Sequence, residues 1–242
     1  MNDTGVKAAL AAMGELIRNS VPDWVDAMRK RWLLAVGLIV LVDALTTLLR
    51  WRGFAAAPAA SGFAVTAGTL VLLTFIFADA MRLMDPSYGI TLSRFIRLVG
   101  ITLLVGLIYL LALIPTFVFG AIHQTALSYV FAYAAAFVVG ARFCLTFFLT
   151  EQSARPIRYS WLLTAGATFL PSIVPVAISA APGGLLELLL PRTPAQASIV
   201  LGVLHSTLQI GLLFINTAWV YPLTVRWLPV CERFHASDAS PV

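Results

Sequence analysis

Charged residues are scarce in this sequence of 242 residues. Asp, Glu, Lys and Arg together make up 11% of the chain, whereas hydrophobic residues make up 60%. Soluble domains contain about 25% charged residues, so this composition excludes an ordinary soluble protein and indicates a membrane protein. The 16 basic residues exceed the 11 acidic ones, but they lie at the ends of apolar runs, where membrane orientation places them. The basic excess therefore predicts no nucleic-acid partner.

Cysteine and histidine are also rare. Cys144 and Cys231 have neither metal-binding nor disulfide spacing, and the three histidines lie far apart in the sequence. The chain contains no glycine-rich phosphate loop and no paired carboxylates in a plausible pocket. The N-terminus lacks the order of charged and apolar residues that a cleaved signal peptide has, so we expect it to be retained. We predict that the protein is not an enzyme and needs no cofactor or metal.

Six apolar runs are long enough to cross a bilayer as helices, which takes about 20 residues. Only helices and closed barrels satisfy their backbone polar groups in lipid, and these runs lack the alternation of barrel strands. The sequence therefore predicts an all-α polytopic membrane protein with a bundle of six transmembrane helices. The predicted spans are Trp32–Leu49, Gly62–Met84, Leu98–Gly120, Ala126–Thr150, Trp161–Ala181 and Ile199–Leu223.

An amphipathic helix is predicted ahead of the first span. Its apolar face consists of side chains that recur at helical spacing, namely Val6, Leu10, Met13 and Ile17. Such a helix lies on the inner leaflet, the favoured interpretation, or docks on a partner protein. The chain is thus divided into an amphipathic segment with a basic flank, a six-span domain and a short cytoplasmic tail, at residues 1–31, 32–228 and 229–242.

The distribution of Lys and Arg predicts the orientation. Most of them fall on the side of the membrane that carries both termini, and basic residues favour the cytoplasmic side. Tryptophans agree, because several lie at predicted span ends, where their rings favour the headgroup layer: Trp32, Trp51, Trp161 and Trp227. We expect a multi-pass protein of the bacterial inner membrane with both termini in the cytoplasm.

Three charged residues lie within predicted spans, where charge is costly and faces the bundle interior or water. They are Asp43, Asp79 and Arg142. Asp79 and Arg142 are predicted at the same depth, which would allow an ion pair between them. Alternatively, the long side chain of Arg142 reaches the headgroups. A structural role is favoured over a transport role for either residue.

The sixth predicted span carries a polar stripe. Ser198, His205, Gln209 and Asn216 fall within a narrow arc at about 100° per residue, and Asp43 is predicted at a depth that matches His205. Such a stripe either joins helices by hydrogen bonds, the favoured interpretation, or lines a path for a small solute or protons.

Two further patterns concern helix packing. Ala132, Ala136 and Gly140 are spaced four residues apart, which predicts a face of small residues for close helix contact. In the fifth span, Pro171 and Pro175 each remove a backbone donor, which predicts a kink there.

The stretch that begins at Arg142 resembles a pattern in a bacterial family. Arg142 is followed by Glu151, Pro156, Arg158, Ser160, Trp161, Thr164 and Gly166. This pattern is similar to the membrane domain that precedes the catalytic domain of some glycerophosphoryl diester phosphodiesterases, and to stand-alone six-span relatives. The third span, LSRFIRLVGITLLVGLIYLLALIP, resembles the same family. The resemblance implies a six-span membrane domain and brings no catalytic residue, and we expect the phosphodiesterase domain of that family to be absent.

The same stretch predicts an interfacial motif, consisting of Glu151, Arg155, Arg158, Ser160 and Trp161. Arg158 and Trp161 suit the inner interface, and Glu151 can neutralise Arg155 or Arg158. We predict a non-enzymatic protein that organises membrane lipids through their anionic headgroups, or a partner membrane protein, or a second copy of itself. The alternative function is a small-solute or proton-coupled transporter that uses the stripe of the sixth span.

Overall fold

The computed structural model describes residues 3–51, 57–189 and 199–239, and in these ranges the chain is helical, with no β-strand. The all-α prediction is therefore confirmed. Two short 3-10 turns, Phe148–Thr150 and Gly166–Thr168, accompany the α-helices. The α-helices are α1 (Asp3–Asn19), α2 (Val21–Trp51), α3 (Ala57–Met81), α4 (Leu92–Ala112), α5 (Ile114–Ala121), α6 (Thr125–Phe143), α7 (Pro156–Leu163), α8 (Phe169–Leu189) and α9 (Ile199–Ala239).

Five helical segments of the described chain are long and apolar enough to cross a membrane. α7 and residues 166–180 are bent by 87° relative to each other, and they form a sixth span if they are counted together as one broken span. A multi-pass helical architecture is thus supported with five or six spans. The five segments are Val21–Leu49, Phe63–Met81, Leu92–Ala121, Thr125–Thr150 and Ser206–Ala236.

The fifth predicted span is not one continuous helix. α7 ends at Leu163, and Gly166 then has a φ of 61°, a left-handed conformation that glycine adopts without strain. A 3-10 turn follows, and α8 begins at Phe169. The break therefore precedes Pro171 and Pro175, where the kink was expected, and α8 is helical through both prolines.

The last helix is longer than predicted. α9 has 41 residues, or about 60 Å of helix, and continues past Leu223 through most of the predicted tail. Trp227 lies in this extension and is fully buried, with its indole N–H donating to Ser172 Oγ at 2.9 Å. Its predicted place among the headgroups is therefore wrong, because its polar group is satisfied inside the protein. Trp32, Trp51 and Trp161 are exposed.

The chain forms two compact units. The first unit comprises Met1–Asn19, Ser87–Ala177 and Leu223–Val242, and the second comprises Ser20–Pro86 and Ile178–Pro222. The core of the second unit is aliphatic and aromatic, with Val42, Leu72, Ile76, Ile210 and Phe214 at its centre. In the first unit the largest buried side chains include Leu145, Phe148, Leu149, Trp227 and Leu228.

Within the first unit, α1 packs against its own chain. Ala9 and Met13 are buried, and a Cβ atom on Gly5 would lie 3.5 Å from the Cβ of Ala167 in the 3-10 turn. Leu10, predicted on the same apolar face, is 45% exposed. Part of the predicted apolar face thus contacts the bundle itself, and Leu10 is left outward.

α6 and α8 approach each other closely at Gly140. A Cβ atom at this position would lie 2.6 Å from Val176 Cγ1, which is closer than any real contact. The close helix contact predicted for the small-residue face is present here at Gly140, whereas Ala132 and Ala136 are only partly buried.

Candidate functional site

Asp79, near the end of α3, is closed off by arginines. Its carboxylate accepts from Arg31 of α2 through Nε at 2.5 Å and Nη2 at 2.8 Å, and from Arg82 Nη1 at 2.7 Å. The Arg31 guanidinium also lies over the ring of Phe75, 5.2 Å from its centre. The Asp79 side chain is only 13% exposed. Its charge is therefore neutralised by these two arginines within the second unit, and little of it is left to water.

This arrangement corrects the predicted pair of Asp79 and Arg142. Arg31 was assigned to the basic flank before the first span, but α2 begins at Val21 and carries Arg31 within one continuous helix. Arg31 can therefore reach α3 and present two parallel N–H groups, the geometry that a carboxylate binds best. Asp79 thus takes its partners from α2 and from the end of its own segment.

Asp43, on α2, is held by hydroxyl groups of α9. Ser206 Oγ donates to Oδ1, and Thr207 Oγ1 donates to Oδ2 at 2.6 Å. The predicted partner was the neighbouring His205, whose side chain lies outside the described residues. Both carboxylate oxygens of Asp43 therefore have donors from residues that directly follow the predicted one.

The polar stripe of α9 does not act as one group. Asn216 is buried, and its Nδ2 donates to the backbone oxygen of Ile178 in α8. In a regular helix that oxygen accepts from the residue four positions later, but Pro182 has no N–H. Asn216 thus supplies the missing donor, an interhelical hydrogen bond of the kind expected for the stripe. Gln209 is exposed, and Ser198 lies outside the described residues.

Arg142, at the end of α6, caps the end of α7. Its Nη1 donates to the backbone oxygens of Trp161 at 3.2 Å and Thr164 at 3.0 Å. The last carbonyls of a helix lack intrahelical donors and carry the negative end of its dipole, so a cation is favoured there. The guanidinium also lies over the rings of Trp161 and Phe169, at 4.6 Å and 5.0 Å from their centres. Its charge is thus stabilised by carbonyl oxygens and aromatic faces.

The backbone of Arg142 completes this connection. Its carbonyl oxygen accepts from Ser160 Oγ at 2.8 Å and from Thr164 Oγ1 at 3.1 Å. Ser160 and Thr164 are both fully buried. Ser160, Trp161 and Thr164 of the pattern that follows Arg142 therefore all bond to Arg142. Together these bonds join the end of α6 to the break between α7 and α8.

Glu151 pairs with an arginine of α4. Arg94 Nε donates to Glu151 Oε2 at 3.2 Å, and Arg94 Nη1 donates to the backbone oxygen of Gly89 at 2.7 Å. The guanidinium lies over the ring of Tyr88, 4.7 Å from its centre. Burial raises the pKa of the Tyr88 phenol, the Glu151 carboxylate raises it further, and Arg94 opposes both. The expected neutralisation of Arg155 or Arg158 by Glu151 is therefore corrected to a pair with Arg94.

An open cleft lies where α4 approaches the start of α7. Its volume is about 500 Å³, and among the described residues that line it none is acidic. Arg155 and Arg158 are exposed, and Arg97 Nη2 donates to the backbone oxygen of Ser153 at 3.0 Å. We call this site the basic cleft, and its main lining residues are Arg97, Ile101, Leu104, Arg155, Ile157 and Arg158.

The described residues contain no group of three or more His, Cys, Asp or Glu side chains that could hold a metal ion. Comparison with known protein families, characterised proteins and solved structures finds no significant match for this chain. The resemblance to the phosphodiesterase-associated membrane domain therefore stays a prediction. The described chain thus holds two kinds of charged side chain. We call a charge closed where other residues of the chain bind it, as for Asp79 and Arg142, and open where it is exposed in the basic cleft, as for Arg155 and Arg158.

Proposed function

We propose that the protein is a non-enzymatic protein of the bacterial inner membrane that organises anionic lipid at the cytoplasmic face. The observation that carries the proposal is the basic cleft, where three arginines line an open, otherwise apolar surface with no acidic residue among them. Juxtamembrane arginines attract anionic headgroups by about 1 kcal/mol each. Three of them around one opening are enough to enrich anionic lipid locally.

The contacts inside the spans support a structural role for the other charges. A transport path needs polar groups that face a cavity and can exchange partners with the solute. Asp43 binds two hydroxyl groups, Asp79 binds two arginines, and Arg142 binds two carbonyl oxygens. These contacts favour interhelical bonding over the alternative of a small-solute or proton-coupled transporter.

The proposed orientation has both termini in the cytoplasm, on the argument of the basic residues. A reporter fused after Val242 should then read cytoplasmic, and one inserted near Ala59 should read external. Opposite signals would overturn the orientation.

The function is tested by reconstituting the full chain in nanodiscs of phosphatidylcholine with or without phosphatidylglycerol. Anionic lipid should raise the melting temperature, since a ligand that binds the folded state stabilises it, and it should be enriched in lipid extracted from the purified protein. Equal melting temperatures and no enrichment would contradict the proposal. A stoichiometric protein partner recovered without any lipid preference would favour the organisation of a partner membrane protein instead.

A further inference from the structure

We propose that the basic cleft binds one anionic phospholipid, whose phosphate is held by Arg97, Arg155 and Arg158 and whose acyl chain lies along Ile101 and Leu104. This inference rests on the proposed function and makes it specific, because it assigns the lipid preference to one site.

The charges of the cleft fit a phosphate group. A guanidinium presents its N–H groups in a planar fork that matches phosphate oxygens, and each arginine has five such donors. Arg97 uses one donor on Ser153, and the side chains of Arg155 and Arg158 are exposed. Because Glu151 is already paired with Arg94, it does not compete with a ligand for the arginines of the cleft.

The loop that positions these arginines is fixed by hydrogen bonds. Ser153 accepts from Arg97 through its backbone oxygen and from the Arg155 backbone N–H through Oγ at 3.1 Å. The ion pair of Arg94 with Glu151 joins α4 to the same loop. The backbone of this loop therefore loses little further conformational freedom when a ligand binds, and the cost of ordering is confined to the arginine side chains.

The start of α7 adds to the attraction for an anion. Pro156 occupies the first turn, and Arg155 makes no side-chain capping bond. The positive end of the helix dipole therefore lies at the cleft without a capping side chain, next to the guanidinium groups.

The apolar part of the cleft distinguishes a lipid from a free phosphate. Ile101 and Leu104 lie farther along α4 than Arg97, and α4 has no buried residues. Its surface next to the arginines is thus available to an acyl chain. A phosphate ester without a chain would leave this apolar surface uncovered and lose that part of the affinity.

The test titrates the full-length protein in neutral detergent and counts bound ligands by native mass spectrometry. The probes are phosphatidylglycerol, phosphatidylcholine and glycerol phosphate. We expect one copy of phosphatidylglycerol to bind with preference over the other two. Arg97→Gln/Arg155→Gln/Arg158→Gln should weaken that binding by about fivefold per arginine, or about a hundredfold if the three act independently.

The matched control removes the same charge elsewhere. Lys7→Gln/Arg18→Gln/Arg29→Gln also neutralises three exposed basic residues, and it should change the affinity by less than about fivefold. A second variant, Leu104→Trp, keeps every charge and fills the apolar part of the cleft. Because Leu104 is 47% exposed, this variant should fold normally. It should nevertheless bind phosphatidylglycerol about tenfold more weakly, because the indole occupies the surface proposed for the acyl chain.

Each outcome decides one claim. Unchanged phosphatidylglycerol binding in the folded triple variant would overturn the site and leave the proposed function standing. Glycerol phosphate bound as tightly as phosphatidylglycerol would overturn the lipid assignment, because the apolar surface would then contribute nothing. Equal binding of phosphatidylglycerol and phosphatidylcholine by the unaltered protein would overturn the proposed function itself. If the triple variant fails to fold, the Leu104→Trp result decides the site.

Discussion

The carboxylate of Asp79 in the second unit is bound by Arg31 and Arg82, whereas Arg155 and Arg158 in the first unit extend exposed guanidinium groups into an open cleft. The first arrangement leaves little for a ligand to bind, because both carboxylate oxygens already have charged donors. In the second, the Arg155 and Arg158 side chains are exposed and form no ion pair with another residue of the part of the chain that the structure describes. A closed charge in this apolar chain therefore holds helices together, whereas an open charge is available to ligands from the membrane.

Arg142 shows that a charge can be closed without an opposite charge. Its guanidinium takes two carbonyl oxygens at the end of α7 and two aromatic faces. An arginine has only donors, so helix-end carbonyls suit it, whereas a carboxylate such as Asp79 must find donors. Matched depth alone is therefore a weak reason to pair an aspartate with an arginine.

We expect the largest loss of stability when the ion pair of Arg31 and Asp79 in the second unit is broken. Removing one member of a buried ion pair costs about 3–5 kcal/mol in soluble cores, and partial exposure of Arg31 and Asp79 reduces this to about 2–3 kcal/mol. Arg31→Gln and Asp79→Asn should each destabilise the protein by this amount in detergent unfolding, and the double variant should cost less than the sum.

Two controls sharpen this result. Asp26→Asn removes an exposed partner of Lys30 and should cost less than about 1 kcal/mol. Asp79→Asn combined with Arg142→Gln should be additive, because the two side chains have separate partners. Strong coupling between Asp79 and Arg142 would restore the pairing that was predicted from depth.

The next largest loss of stability is expected at Arg142, whose guanidinium donates to two backbone carbonyl oxygens. Arg142→Gln should cost about 2 kcal/mol, because it removes charged hydrogen bonds to two helix-end carbonyls and the contacts with two rings. Arg142→Lys keeps the charge but not the planar fork, so it should restore less than half of the loss in unfolding experiments. Full rescue by lysine would mean that charge alone, and not the geometry around Trp161 and Thr164, stabilises this end of the bundle.

A smaller loss of stability is expected at Asn216, whose neutral side-chain amide donates to the backbone oxygen of Ile178. Asn216→Leu leaves the backbone oxygen of Ile178 without its donor and should cost about 1 kcal/mol. In a Pro182→Ala background, a backbone N–H becomes available to that oxygen, so the same change should cost less. Gln209→Leu, the matched change at an exposed position of α9, should not destabilise the protein. An equal cost of Asn216→Leu in both backgrounds would contradict the role assigned to Pro182.

The smallest effect lies at Tyr88, beside the closed pair of Arg94 and Glu151. Burial raises the pKa of Tyr88, so the folded state keeps its phenol protonated at a pH where an unfolded tyrosine, with a pKa of about 10, ionises. The contribution to stability is present below about pH 10 and is lost as the pH rises through the raised pKa. The ultraviolet difference titration of the unaltered protein against Tyr88→Phe should show ionisation above pH 10, shifted downward in Glu151→Gln. A midpoint at or below 10 would contradict the burial of this ring.

The sequence was a good guide to features that are local along the chain. Apolar runs of sufficient length predicted the helices, because span length depends only on neighbouring residues. The four-residue spacing of Ala132, Ala136 and Gly140 likewise predicted a close helix contact, because residues four positions apart lie on the same face of a helix. A helix ahead of the first span was also predicted, from the helical spacing of Val6, Leu10, Met13 and Ile17, and α1 occupies Asp3–Asn19.

The partners of polar groups depend on three dimensions and were harder to predict. Arg31 was missed for Asp79 because average hydropathy placed it before the span, although α2 is continuous through it. Ser206 and Thr207 were missed for Asp43 because they lie off the stripe that contains His205. The break at Gly166 had a signal in the glycine itself, but the surrounding apolar residues concealed it in a span-length average.

The division into closed and open charges is tested by the shift in melting temperature that phosphatidylglycerol produces in nanodiscs. This shift is compared among the unaltered protein, Asp79→Asn and the cleft variant Arg97→Gln/Arg155→Gln/Arg158→Gln. We predict that Asp79→Asn melts at a lower temperature but keeps the full lipid-induced shift. The cleft variant should melt slightly below the unaltered protein in phosphatidylcholine, because it loses the exposed hydrogen bond from Arg97 to Ser153, and it should lose the lipid-induced shift. A shift that disappears in Asp79→Asn and persists in the cleft variant would contradict the division into closed charges that hold the fold and open charges that bind lipid.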